Sequence, residues 1–341
     1  MTDQTPAPAS DDAATSATQR IDQALETIAA VRAGVGGAIL GQERVIDLTL
    51  ATILAGGHGL LVGAPGLAKT SLVEAIAIAT GLDWGRVQFT PDLMPSDIVG
   101  SEILDQDSTG KRGFRFVKGP VFTSLLMADE INRASPRTQS ALLQAMQEGQ
   151  VTVSGQTYAL PQPFFVLATQ NPIEQEGTYP LPEAQLDRFL LQIDVPFPDR
   201  ETERQILLAT TGNNQLAARP ALKPGDLSAL QAFVRDMPVG EKVLDAVLNL
   251  VRSARPDNAN DPNMAELVAW GPGPRAGQAL IKAAKARAFL RGRVSPSFDD
   301  VAAVARAGLI HRMALSWRAR ADGLDLGELI DRLVQQALGS A

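Results

Sequence analysis

Leu60-Leu61-Val62 is a short apolar run, and it leads into Gly63-Ala64-Pro65-Gly66-Leu67-Ala68-Lys69-Thr70, a turn built on glycine and proline, with Ser71 next on a helical pattern. A strand, a tight loop and a helix in direct succession point to a parallel α/β sheet, whose ligands gather at the carboxyl ends of its strands. In such a loop the backbone N–H groups converge on a phosphate, a lysine reaches the β- and γ-phosphates, and a hydroxyl in the first helical turn ligates Mg²⁺. Lys69 and Thr70 fill those positions. Ala68 stands where glycine is usual, so the loop taken alone could also be a plain connection. A second apolar run, Leu125-Leu126-Met127-Ala128, ends in Asp129-Glu130. Two carboxylates at a strand's end divide the work that nucleotide hydrolysis requires: one holds the Mg²⁺ shell and the other polarises an attacking water.

The length of 341 residues suggests two domains, and a hydrophobic fraction of 45% suffices for packed cores. Residues 1–20, rich in Ala, Ser, Thr, Pro and Asp without apolar periodicity, are expected to be a disordered tail. The start lacks the basic and apolar segments of a secretory signal, and no apolar stretch is long enough to span a bilayer. A cytoplasmic location without membrane contact is therefore expected. With no Cys and two His, disulfides, Cys-based metal sites and Cys nucleophiles are excluded. The net charge of −7 divides unevenly: residues 1–199 carry 12 basic and 23 acidic side chains, residues 200–341 carry 19 and 15. Chance surface composition would give this, and so would a basic second domain meeting an acidic first one.

In chain order, helical patterns run from Ile21 to Val31 and from about Gln42 to Leu54, and Gly56-Gly57-His58-Gly59 stops the second. His58 reads as a turn residue rather than a ligand. Thr70 to Thr80 is helical, and Arg86 to Phe89 is a strand. The stretch Thr90 to Pro120 exceeds what a parallel crossover needs, and Ser101–Leu104 with Gly113–Val117 can pair as a projecting hairpin. Ser135 to Glu148 is a helix, a second hairpin joins Val151–Val153 to Thr157–Leu160, and Phe164–Thr169 and Leu190–Val195 complete the strands. Beyond Asp199 strand signals vanish. Helices are predicted over Arg200–Thr211, Leu227–Arg235, Lys242–Arg252, Arg275–Leu290, Phe298–Arg312 and Leu326–Leu338. Gly271-Pro272-Gly273-Pro274-Arg275 superficially matches a dinucleotide fingerprint, but it carries two prolines and follows no predicted strand.

Several blocks together resemble the MoxR family of AAA+ ATPases, from Leu40 to about Met313: Gly41-Gln42-Glu43, Gly57-His58, Ala68-Lys69-Thr70, the run from Phe89 to Gly100, Asp129 to Arg133, Thr169 to Pro172 and Glu183 to Phe189. The resemblance implies a five-stranded parallel P-loop core with a helix-2 insert and a pre-sensor-1 hairpin, and a C-terminal all-helical lid. The division is then a tail over 1–20, an α/β nucleotide-binding core over 21–199, and a lid with a C-terminal helix over 200–341. It also implies ATP and Mg²⁺ as cofactors, held by Gly63, Ala64, Pro65, Gly66, Leu67, Ala68, Lys69, Thr70 and Ser71, with Thr70 and Asp129 at the metal. Glu130 matches the catalytic base, Asn171 the sensor-1 amide beside the attacking water, Arg188 the arginine finger offered to a neighbouring subunit, and Arg275 sensor 2. Arg133 and Arg137 are weaker candidates for interface contacts.

What the resemblance implies is an ATP-hydrolysing homo-oligomer, a hexameric ring, that remodels or helps mature a protein client, with a partner bearing a von Willebrand factor A domain. Two alternatives stand beside it. One is a DNA motor, suggested by Arg275, Lys282, Lys285, Arg287, Arg291 and Arg293 but opposed by an acidic chain with 5% aromatic residues. The other is the ATPase subunit of a complex resembling magnesium chelatase.

Overall fold

The computed structural model describes residues 11–106, 112–173, 177–211, 216–257 and 263–339. Strands β1 (Gly59–Val62) and β2 (Trp84–Gln88) precede an antiparallel hairpin of β3 (Gly100–Gln106) and β4 (Arg112–Lys118). Then come β5 (Leu125–Asp129), a second hairpin of β6 (Gln150–Val153) and β7 (Gln156–Ala159), and finally β8 (Phe165–Gln170) and β9 (Leu191–Asp194). Five of these form one parallel sheet in the order β2-β5-β8-β1-β9. Both expected hairpins stand outside that sheet; the tip of the first, residues 107–111, lies outside the described residues. Gly100 at its base has φ 95°, and a Cβ there would meet the Val117 carbonyl oxygen at 2.3 Å, so only glycine lets the two strands close.

The sheet separates two apolar clusters because successive side chains of a strand point to opposite faces. Leu125, Met127, Leu167, Leu191 and Ile193 belong to one cluster, while Leu60, Leu126, Ala128, Val166 and Ala168 belong to the other. Helices α1 (Asp11–Gly36), α2 (Glu43–Leu54) and α3 (Lys69–Thr80) cover the first face. The short α4 (Pro95–Val99) and α5 (Pro136–Glu148) cover the second, and α6 (Glu183–Leu186) precedes β9. Helix α1 begins at Asp11, so residues 11–20 are helical where a disordered tail was expected; residues 1–10 lie outside the described residues. The reason is local: alanine, at positions 13, 14 and 17, has high helix propensity.

Beyond Asp199 the chain forms α7 (Arg200–Thr211), α8 (Asp226–Asp236), α9 (Glu241–Ser253), α10 (Met264–Leu267), α11 (Pro274–Leu290), α12 (Phe298–Leu309), α13 (Trp317–Ala321) and α14 (Leu326–Gly339). The region is helical as expected, with one addition. Strands β10 (Val268–Trp270) and β11 (Ala314–Leu315) pair as an antiparallel ribbon. Gly271 to Arg275 therefore does follow a strand, but that strand belongs to the ribbon, and Pro274 merely starts α11.

The lid has no core of its own. Its apolar residues, among them Ala279, Leu280, Ala283, Val301 and Val304, join the cluster that holds α1, α2 and one face of the sheet. Helix α2 is buried from Val45 to Leu54, including Thr49 and Thr52, whose hydroxyls bond to carbonyls one turn back. A helix apolar on nearly every side has neighbours all round, and here they are the sheet and α11. Asp47 on α2 accepts from Arg32 of α1 and, at 2.7 Å, from Arg291 at the end of α11. A basic lid thus does meet an acidic core, through Arg291 with Asp47 and Arg312 with Asp187.

Candidate nucleotide site

Parallel pairing brings the predicted motifs to one end of the sheet. β1 lies between β8 and β9 with Val62 level with Gln170, so Gly63 and Asn171 follow side by side, and Gly63 N–H donates to the Gln170 carbonyl at 3.2 Å. β5 lies on the other side of β8, placing Asp129 and Glu130 next to that pair. At Gly63 a Cβ would come within 2.7 Å of the Val195 carbonyl, so glycine is required where β1 turns into the loop. Pro65, Gly66 and Ala68 form an exposed crest, while Ala64 and Leu67 anchor it in the core. Ala68 adopts φ 54°, a left-handed conformation that costs an alanine about 1 kcal/mol. Ala68 thus takes the left-handed conformation that glycine adopts without strain.

Lys69 opens α3, and its ammonium donates to the carbonyls of Gly63 (2.8 Å) and Ala64 (2.7 Å). Burial lowers its pKa, opposed by the nearby Asp129 and Glu130 carboxylates. The loop thus holds a cation inside a cradle open at its crest, as an anion site needs. Thr70 and Ser71 follow on the first turn of α3.

The two carboxylates are positioned by neighbours. Thr169 on β8 donates its hydroxyl to Asp129 Oδ1 at 2.6 Å and accepts from the Glu130 N–H at 2.8 Å. Arg86 on β2 reaches Asp129 Oδ2 at 2.5 Å and Gln88 Oε1 at 2.8 Å, and Gln88 donates to Glu130 Oε2 at 2.9 Å. Arg133 meets the same Glu130 oxygen at 3.0 Å, so this candidate interface residue is engaged within its own chain; Arg137 is exposed at the start of α5. Glu130 has φ 55°, the strained backbone that functional sites concentrate. Asn171 is buried, and its Oδ1 accepts from Ile173 N–H at 3.1 Å; this turn engages the oxygen and not the amide nitrogen.

Arg188 and Arg275 lie elsewhere. Leu191 is level with Gly59 at the start of β1, so the segment before it occupies the opposite end of that strand from the phosphate loop. Arg188 donates to the Leu143 carbonyl at 2.7 Å, and Arg275 reaches Asp187 at 3.4 Å. Together with Lys282 and Arg312 they line a cavity of about 250 Å³ beside Gly57 and His58. The four residues of β1 alone put roughly 13 Å between this cluster and the loop. Arg275, expected among the residues that hold the chain's own nucleotide, is thus grouped with Arg188 and not with the loop.

Sequence reasoning missed Arg86, Gln88, Thr169 and Arg312. Alternate polar residues on the edge strand β2 hinted at the first two, and a His-Arg pair between Ile310 and Met313 hinted at the last. It also missed a cavity of about 650 Å³ beside the loop, lined by Ile39, Leu40, Gln42, Ser71, Ala75 and Ile206. His58 is a staple: its Nδ1 accepts from Val166 N–H (3.0 Å), and its Nε2 donates to the Met146 carbonyl (3.1 Å).

A phosphate loop, a strand ending in Asp-Glu and a helical lid define the class, a P-loop ATPase of the AAA type. Residues 58–191 match the model of the ATPase family associated with various cellular activities (AAA), and residues 262–333 match the AAA lid domain. Chaperone MoxR1 of Mycobacterium tuberculosis is 43% identical over 87% of this chain and 78% of its own length. Protein MoxR of Paracoccus denitrificans is 33% identical over 83% and 87%. A crystal structure from Cytophaga hutchinsonii superposes with a TM-score of 0.86 at 38% identity, covering 94% of this chain and 97% of that one. The chain belongs to the MoxR family of AAA+ ATPases and is an ATP-hydrolysing enzyme. No helix among the described residues is long and apolar enough to cross a membrane.

Proposed function

We propose that this chain is one subunit of a homo-oligomeric ring, a hexamer, in which ATP bound at one subunit's phosphate loop is hydrolysed with help from Arg188 and Arg275 of the next. The observation that supports this reading is that both line one cavity at the amino end of β1, the opposite end of the strand from the phosphate loop. Within one subunit, Lys69 and the backbone N–H groups of Gly66 to Thr70 hold the phosphates, Glu130 polarises water, and the Asn171 amide orients it. The 650 Å³ cavity beside Ser71 receives the base. The Thr70 hydroxyl and the Asp129 carboxylate are hard oxygen donors that suit Mg²⁺, which when bound neutralises charge on the phosphates.

The ring acts in the cytoplasm on a protein client, remodelling it or helping it mature, with a partner bearing a von Willebrand factor A domain. MoxR kinship supports the client, since one relative is named a chaperone. The DNA alternative is weakened by its own residues. Arg275 pairs with Asp187, Arg287 and Arg293 with Asp300, Arg291 with Asp47, and Lys285 with the Arg235 carbonyl, so five of those six basic residues are engaged within the chain.

Mixing tests the shared site. Arg188→Ala should bind ATP normally yet hydrolyse it about 10³-fold or more slowly, as finger removal does. Lys69→Ala has an empty site but a sound finger. Their mixture should regain ATPase activity at interfaces that pair an intact loop with an intact finger. Exchange of subunits without any recovery, across all ratios, would refute the ring.

A further inference from the structure

Arg312 is a buried arginine with every donor engaged. It follows α12 in a short 3₁₀ turn of the lid and is 3% exposed. Its Nε donates to Asp187 Oδ1 at 2.7 Å. One terminal nitrogen donates to the carbonyls of Leu190 (3.0 Å) and Gly308 (2.6 Å), and the other to those of Phe189 (2.7 Å) and Asp187 (3.3 Å). One planar guanidinium from the lid therefore grips the core backbone immediately before and after Arg188. The other Asp187 carboxylate oxygen faces Arg275 of α11 at 3.4 Å. The adjacent His311 adds a bond from Nε2 to the Phe189 carbonyl at 3.0 Å. Burying an arginine is costly, and here four of its five hydrogen bonds, one of them also an ion pair, are spent on the stretch 187–190, which contains Arg188.

From this geometry we infer that Arg312 is a positioning residue for hydrolysis in the neighbouring subunit: it fixes Arg188 of the core and, through Asp187, Arg275 of the lid as one rigid pair. The inference rests on the reading that Arg188 acts in trans. Arg312 touches no substrate. Its action is to hold the 187–190 backbone, because a misplacement of about 1 Å in a positioned group can cost about 10² in rate. Lysine cannot replace it, since a single ammonium cannot span acceptors arranged for a planar fork.

The test uses the full-length protein and ATP. Arg312→Lys should keep the affinity for a fluorescent ATP analogue and the KM for ATP, and lose about 10² in kcat. Mixed with Lys69→Ala, it should regain activity, because the recovered interfaces use the Lys69→Ala subunit's intact Arg312 and Arg188. A role confined to holding the fold would not be complemented in trans. Native kcat in Arg312→Lys, or a loss of ATP affinity equal to the loss of rate, overturns the inference. So does failure of Arg312→Lys to recover while the Arg188→Ala mixture does; failure of both mixtures overturns the shared site itself. Should Arg312→Lys not fold, Asp187→Asn takes its place. It keeps an acceptor for Arg312 but removes the charge that joins Arg312 to Arg275, and should lower kcat about tenfold with the same recovery; native kcat there overturns the inference.

Discussion

The two ends of β1 are built on opposite plans. At its carboxyl end the functional groups come in short local runs at strand ends: the loop after β1, Asp129 and Glu130 at the end of β5, and Asn171 after β8. At its amino end the side chains come from places far apart in the chain, with Arg188 on the core, Arg275 and Arg312 on the lid, and the Leu143 carbonyl of α5 accepting from Arg188. The first end is exposed at its crest and holds strained backbone at Ala68 and Glu130. The second is packed around a buried arginine and contains both histidines of the chain. The contrast teaches that one end is a cradle open to solvent, and the other a packed cluster that joins core to lid.

The largest effects should come from chemistry at the carboxyl end without loss of fold. Lys69→Ala should abolish ATP binding, whereas Glu130→Gln should bind ATP and lose about 10²- to 10⁴-fold in turnover, the range for removing a general base. Equilibrium binding of a fluorescent nucleotide beside steady-state ATPase measurements distinguishes the two. Equal loss of binding in both would erase the division of roles.

Next is Thr169→Val, which leaves the Glu130 N–H and Asp129 Oδ1 without their shared partner. A cost of about 1–3 kcal/mol in denaturant midpoints and a lower kcat are expected, because buried polar groups are stranded. Unchanged kcat would mean that the carboxylates are held without β8.

The amino end should instead respond to pH. Burial, with the charge of Arg312, pushes His311 down to about 3, and burial pushes His58 down to about 4. Their folded pKa values lie below the unfolded one near 6.5, so unfolded chains take up protons that folded ones refuse. Stability is therefore fully present above pH 6.5 and falls as pH drops towards 4 and then 3, by up to about 1.4 kcal/mol per unit for each ring. His58 keeps some exposed surface, so His311 should dominate. Between pH 7 and 5 the native chain should lose about 2 kcal/mol more stability than His311→Asn. An identical slope in both would show that His311 does not titrate on unfolding.

The smallest effect is expected at Ala68→Gly, which relieves a left-handed alanine at the loop. A gain within about 1 kcal/mol is predicted by thermal denaturation, with ATP binding retained. A loss would mean that the alanine side chain contributes packing worth more than its strain.

Much of the carboxyl end was legible in the sequence because its signals are local. Strand, loop and helix follow each other within a dozen residues, and the insert announced itself by excess length between two strands. The helix over residues 11–20 was less visible, since its composition matches that of a tail, and what holds the rest of α1 is Ile28, Val31 and Val35 packed into the shared core. The ribbon of β10 and β11 has five residues in two pieces, too few for any period to register.

By itself the sequence determined the phosphate loop, the acidic strand end, the parallel order of elements and the family, because each depends on residue types at short spacing. Only the tertiary structure decided that the lid shares the core of the sheet, that Arg86 and Gln88 engage the two carboxylates, and that Arg275 stands with Arg188 away from its own loop. The physical reason is separation: Arg312 and Asp187 lie 125 positions apart. Nothing in the pattern around either residue specifies the other; packing of α11 and α12 against α2 and β9 does.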